Sequence, residues 1–211
     1  MRGILIVTTV LAFAEHGVAS DGTSLGMNFA ASLITQAKTA EAQPPVPAFG
    51  TMNTWRWMVQ GGIGADTKTS DNLFGQIGGG VSYFMIDNLS LDLELNGMYF
   101  SQIGDDAVGV NLVLLFRWHF IAREKWSLYF DIGAGLMGTS DKVPGPQPSE
   151  PRGGSSFNIT PQSGFGMTVE VARNTRFFAG VRVYHISNGQ IYEGNPGRDS
   201  IFIYAGVSFP F

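Results

Sequence analysis

Leu89-Ser90-Leu91-Asp92-Leu93-Glu94-Leu95-Asn96 sets a leucine at every odd position and a hydroxyl, carboxylate or amide at every even one. Successive side chains of an extended chain point to opposite faces, so this stretch reads as a strand with one apolar and one polar face. The following segment repeats the pattern. Val110, Leu112, Leu114, Phe116, Trp118 and Phe120 share one face, and Asn111, Arg117 and His119 share the other. A third copy sets Leu128, Phe130, Ile132, Ala134 and Leu136 against Tyr129 and Asp131. A soluble sandwich gives the same alternation with its leucines inside, so the choice rests on the rest of the chain.

Working outward, eight such segments appear: Thr54 to Ala65, Asn72 to Met85, Leu89 to Ser101, Ala107 to Phe120, Trp126 to Gly138, Thr160 to Ala172, Arg176 to Ser187, and Asp199 to Phe211. Each is long enough to cross a bilayer as a tilted strand. Only 14% of the 211 residues are charged, against roughly 25% in ordinary soluble domains. A soluble lipid-binding barrel would cover its surface with its charged face, and this chain has too little charge for that. A transmembrane β-barrel fits better, because only alternate residues face lipid and no long apolar run is needed. The predicted fold is therefore all-β, an eight-stranded antiparallel transmembrane β-barrel of the bacterial outer membrane. Its inward polar set is Arg56, Gln60, Gln76, Asp92, Glu94, Asn96, Asn111, Arg117, Asp131, Glu170 and Arg182. Both signs are present, and the interior of a barrel this size is just wide enough for side chains to fill. The set reads as structural, not as a channel lining.

With no cysteine, disulfides, thiolate nucleophiles and cysteine-bound metals are excluded. A net charge of −4 without a basic run argues against nucleic acid as a partner. Arg2 and the apolar run from Gly3 to Ala14 read as a secretory signal, assigned to residues 1–20. A dozen apolar residues are too few to cross about 30 Å of hydrocarbon as a helix. Residues 21–50, with Gln43-Pro44-Pro45-Val46-Pro47, read as a linker or leader remnant, and 51–211 as the barrel. Short connections at Ile86–Asn88, Ile121–Lys125 and Arg173–Thr175 alternate with longer ones, including an irregular loop expected from Thr139 to Ile159. Outer-membrane barrels turn their long loops outward. The ending Ser208-Phe209-Pro210-Phe211 resembles the aromatic terminus of proteins handled by the outer-membrane assembly machinery.

The chemistry concentrates in the last hairpin. Of three histidines, His16 falls in the signal and His119 on the inward face. His185 differs: with Arg182 inward, Phe177, Ala179, Val181, Val183, His185 and Ser187 all face lipid, so two polar groups end an apolar stripe. Polar groups there are costly to desolvate and need a reason. The last strand supplies Asp199 on the same face. If the hairpin is symmetric about its loop, Ser187 lies opposite Asp199, with His185 diagonal at about 7–8 Å. A hydroxyl, an imidazole and a carboxylate so placed suit acyl transfer, the base taking the serine proton and the acid orienting the base. Asn188, with main-chain N–H groups around Gly189 and Gln190, is placed to receive an oxyanion. The plain alternative is a set of interfacial polar residues at the membrane edge.

His185-Ile186-Ser187-Asn188, followed by Asn195-Pro196-Gly197-Arg198-Asp199, resembles the C-terminal signature of the lipid A 3-O-deacylases, PagL-type outer-membrane hydrolases. The resemblance implies an eight-stranded barrel with a lipid-exposed triad. Ser187 would be the nucleophile, His185 the base, Asp199 the acid and Asn188 an oxyanion aid. It also implies hydrolysis of the 3-O-linked acyl chain of lipid A in the outer leaflet, without metal or cofactor. The partner is then lipopolysaccharide, and homodimerisation is left open. The family usually has glutamate where Asp199 stands, and Glu193 in the loop is the other nearby acid. The alternatives are a non-enzymatic barrel serving as structural anchor or adhesin, and a palmitoyltransferase. The latter needs an acyl chain inside the barrel, which the inward polar set opposes.

Overall fold

The period-two pattern folds as strands throughout. The computed structural model describes residues 48–69, 71–148 and 151–211, all within the unit Val46–Phe211. The expected signal peptide, and the expected linker up to residue 47, lie outside the described residues. The strands are β1 (Trp55–Asp66), β2 (Leu73–Ile86), β3 (Leu89–Ser101), β4 (Ala107–Ala122), β5 (Trp126–Val143), β6 (Ser155–Ile159), β7 (Gln162–Ala172), β8 (Thr175–Ile186) and β9 (Arg198–Pro210). All pairings are antiparallel, in the order β4-β3-β2-β1-β9-β8-β7-β5-β6, and pairing of β4 with β5 closes the ring.

The nine strands make eight staves. β6 and β7 lie in one register along β5, because Leu136 faces Ile159 and Gly133 faces Gln162. Thr160 and Gly135 exchange both backbone hydrogen bonds, at 2.9 and 3.1 Å, across the gap. Pro161, which has no N–H to give to a ladder, divides the stave.

The hairpin β5–β6 also corrects the loop expected over 139–159. Strand β5 runs on to Val143 and β6 begins at Ser155, leaving 144–154 as the connection. Thr139-Ser140-Asp141-Lys142 carries no apolar face. Strands that rise above the lipid band need none, so periodicity ends before the strand does.

Outside, Ile63, Ile77, Leu95, Val110, Ile132, Phe165 and Ile203 are exposed, forming an apolar belt whose only suitable solvent is lipid. At the short-turn end, Trp57 stacks on Phe211 at 4.7 Å and Trp55 lies 4.7 Å from Tyr83, which is the interfacial aromatic girdle of such barrels. Phe49 fills the same end of the lumen, against Phe84 and His119 and under the Arg176 guanidinium at 4.0 Å. His119 is buried and hydrogen bonds Ser127 Oγ at 2.8 Å.

The lumen is filled by charge. Arg182 donates to Glu94 at 3.1 Å and Asp131 at 2.9 Å, while Arg117 reaches Asp92 at 3.1 Å and Asp131 at 3.3 Å. Gln60 adds a bond to Glu94 at 2.6 Å, and Tyr204 one to Asp131 at 3.0 Å. Removing one partner of such a network strands the others without water. Arg182→Met is therefore expected to destabilise the barrel by about 3–5 kcal/mol, measured by urea unfolding in lipid vesicles.

Candidate active site

The same parity that turns Arg182 and Tyr184 inward carries His185 and Ser187 to the outer wall, at the long-loop end of β8. On β9, Arg198 and Ser200 are buried and Asp199 faces outward. The register sets His185 opposite Asp199 and Val183 opposite Ile201. This corrects the symmetric-loop expectation, which put Ser187 opposite Asp199. The loop is asymmetric: Ile191 N–H closes a turn onto Asn188 O at 3.1 Å, and Gly197 enters β9 at φ 60°. The two-residue slip preserves parity, so all three groups stay on one face.

Direct opposition gives the short acid its reach. His185 Nδ1 lies 2.6 Å from Asp199 Oδ1. A carboxylate only accepts, so Nδ1 carries a proton, and in the neutral imidazole Nε2 is then the nitrogen with the lone pair. Gly197 leaves room for the ring, since a Cβ there would sit 3.2 Å from His185 Cε1. The second oxygen of Asp199 meets Lys68 Nζ at 3.0 Å, from the loop between β1 and β2.

Ser187 follows two residues along the same face, a rise of about 6.6 Å. Its backbone is fixed to β6: Ile159 N–H donates to Ser187 O at 2.7 Å and Ser187 N–H to Ile159 O at 3.1 Å. His185 N–H is likewise held by Pro161 O at 2.9 Å. The broken stave thus anchors both residues. Ser187 Oγ accepts from Gly189 N–H at 3.4 Å, and among the described residues no hydrogen bond joins it to His185. Such bonds commonly tighten only when substrate is bound.

Asn188 has the opposite parity and is buried. Its Nδ2 donates to Gly194 O at 2.9 Å, its Oδ1 accepts from Gln190 N–H at 2.9 Å, and its own N–H donates to Asn195 Oδ1 at 3.2 Å. Its carboxamide therefore braces the loop, and the Gly189 N–H is the donor aimed at the serine. Glu193 is 95% exposed in the loop, 4.0 Å from Arg152, and forms no contact with His185. The sequence reading missed Lys68 and the backbone of Ile159 and Pro161. Closure of the barrel would have pointed to Lys68, because pairing the first strand with the last sets the first loop beside the last hairpin.

The sequence model of the lipid A 3-O-deacylase (PagL) family matches residues 40–208. The crystal structure of the outer membrane enzyme PagL aligns with a TM-score of 0.56 at 20% identity, covering 73% of this chain and 99% of that one. Neisserial surface protein A (NspA) aligns at 0.52 and 16% identity, covering 75% and 97%. The N-terminal barrel domain of Pseudomonas aeruginosa OprF aligns at 0.51 and 16%, covering 76% and 98%. No curated protein matches the chain by sequence. With most of its length matched by one family and its fold shared with outer-membrane barrels, this bacterial outer-membrane protein belongs to the lipid A 3-O-deacylase family.

Proposed function

We propose that the protein is a serine esterase that removes the 3-O-linked acyl chain of lipid A from within the outer leaflet. The observation that carries this reading is the His185–Asp199 pair at 2.6 Å, with Ser187 next along the same lipid-facing edge. Among the described residues the middle of the lumen is occupied by the ion pairs of Arg117 and Arg182 with Asp92, Glu94 and Asp131, which favours lateral approach of the substrate over an acyl chain bound inside. An apolar furrow of about 390 Å³ runs down this outer wall, lined by Ile63, Ala65, Leu73, Gly75, Tyr99, Ile201 and Ile203. Ile201 is two residues from Asp199 on the same face, so lipid chains and acid share one surface.

Ser187 Oγ attacks the ester carbonyl as its proton passes to His185 Nε2, and Asp199 steadies the imidazolium through Nδ1. The developing oxyanion is met by the Gly189 N–H, on the loop that Asn188 braces. Collapse breaks the bond to the sugar 3-oxygen, which takes the proton from Nε2. A water then enters, gives its proton to Nε2 and attacks the acyl-serine. Collapse of that second intermediate returns the proton to Ser187 and frees a 3-hydroxy fatty acid. Purified protein in vesicles containing lipid A is expected to release that acid and leave the other acyl chains in place. Release of none, or of a different chain, contradicts the reading.

A further inference from the structure

The contact between Lys68 and Asp199 is more built than a chance surface pair. Three consecutive residues, running from the last of β1 into the first loop, serve it. Asp66 Oδ1 accepts Lys68 N–H at 2.8 Å, and its Oδ2 accepts Asn72 Nδ2 at 3.0 Å. Thr67 donates both its N–H, at 2.8 Å, and its hydroxyl, at 3.0 Å, to the main-chain carbonyl of Asp199. Lys68 Nζ then takes Asp199 Oδ2 at 3.0 Å. The loop is tied further inward, for Asn72 Oδ1 accepts Ile103 N–H at 3.0 Å and Arg198 Nε lies 3.9 Å from Asp66 Oδ2. Backbone and carboxylate of one residue are thus gripped from a neighbouring loop.

We propose that Lys68 is a positioning residue of the triad, holding Oδ2 of Asp199 so that Oδ1 stays on His185 Nδ1. The claim rests on the esterase reading above. It follows from the exposure of the acid, whose side chain is 40% accessible. A carboxylate bound through one oxygen alone turns freely about its last torsion and shares its time with water. An ammonium on the second oxygen closes that freedom. An exposed ion pair contributes little to stability, yet misplacing a catalytic group by about 1 Å can cost about 100-fold in rate. The signature is therefore a rate effect without a folding effect.

The test compares wild type, Lys68→Met, Lys68→Arg and, as a rim-charge control, Arg152→Gln. Two readouts are used on protein verified as folded by heat-dependent gel mobility: kcat and KM on lipid A vesicles, and the rate at which a fluorophosphonate labels Ser187. Lys68→Met is expected to lower kcat and the labelling rate together by about 10- to 100-fold, with KM unchanged. Lys68→Arg is expected to restore both to within about threefold, and Arg152→Gln to match wild type. Unchanged kcat and labelling in Lys68→Met overturn the proposal. A rise in KM alone overturns it too, by making Lys68 a contact for the anionic headgroup. If wild type labels at Ser187 but does not hydrolyse lipid A, the substrate reading fails, and the labelling rates alone decide the role of Lys68. If wild type does neither, both fail.

Discussion

Ser187→Ala is expected to lower kcat for lipid A deacylation by on the order of 10⁴- to 10⁶-fold, with the barrel intact. The expectation follows from the position of the residue. The backbone of Ser187 makes its pair of hydrogen bonds to Ile159 whatever its side chain, so alanine keeps β8 and β6 together. Among the described residues the hydroxyl has one hydrogen bond, the long one from Gly189 N–H at 3.4 Å, and its loss is expected to cost little stability. What disappears is the hydroxyl that the proposed mechanism uses to form the acyl intermediate. Release of fatty acid from lipid A vesicles measures the loss, and urea unfolding checks the fold. Activity within tenfold of wild type would remove Ser187 from the mechanism.

The second large effect is expected of Asp199→Asn, at about 10⁴-fold in kcat. Lys68 gives the physical reason. Its ammonium, 3.0 Å from Oδ2, prefers an oxygen, so the new carboxamide turns its oxygen to Lys68 and its NH2 to His185. Nδ1 must then accept, the ring proton moves to Nε2, and the imidazole can no longer take a proton from Ser187. Asp199→Glu is expected to keep activity within about tenfold or raise it, because the family resemblance puts glutamate in this role. Comparison of kcat for the two variants on one lipid A preparation checks both. Complete loss in Asp199→Glu would show that the aspartate does not play the part of the family's acid.

These expectations depend on features that differ in how far a sequence displays them. Strand parity was plain, since a one-residue error would have sent Leu91, Leu93 and Leu95 into the lumen with Arg117 and Arg182 outside. Parity alone collected His185, Ser187 and Asp199 on one face. It could not fix the register of the last hairpin, because a slip of two residues leaves every face unchanged, and the turn at Asn188 and the left-handed Gly197 decide it. Nor could it follow β5 and β6 above the membrane band, where water lies on both sides and alternation has no cause. The orientation of Asn188 was hidden for a related reason: an amide beside a nucleophile suits an oxyanion role, but its parity turned it into the loop. Lys68 stands 131 positions from Asp199 in the chain, and no local pattern joins them. Barrel closure does, through Ala65 opposite Ile201 and Asp66 opposite Ser200.

The central claim is that a lipid-facing Ser187–His185–Asp199 constellation removes the 3-O-acyl chain from lipid A. Mass spectrometry of lipid A from a bacterial host lacking this activity tests it most directly, with wild type and Ser187→Ala expressed to equal levels in the outer membrane. Lipid A from wild-type cells should be lighter by one 3-hydroxyacyl group at the 3-oxygen, and lipid A from Ser187→Ala cells should be unchanged. Intact 3-O-acyl chains in both, or equal loss in both, would contradict it.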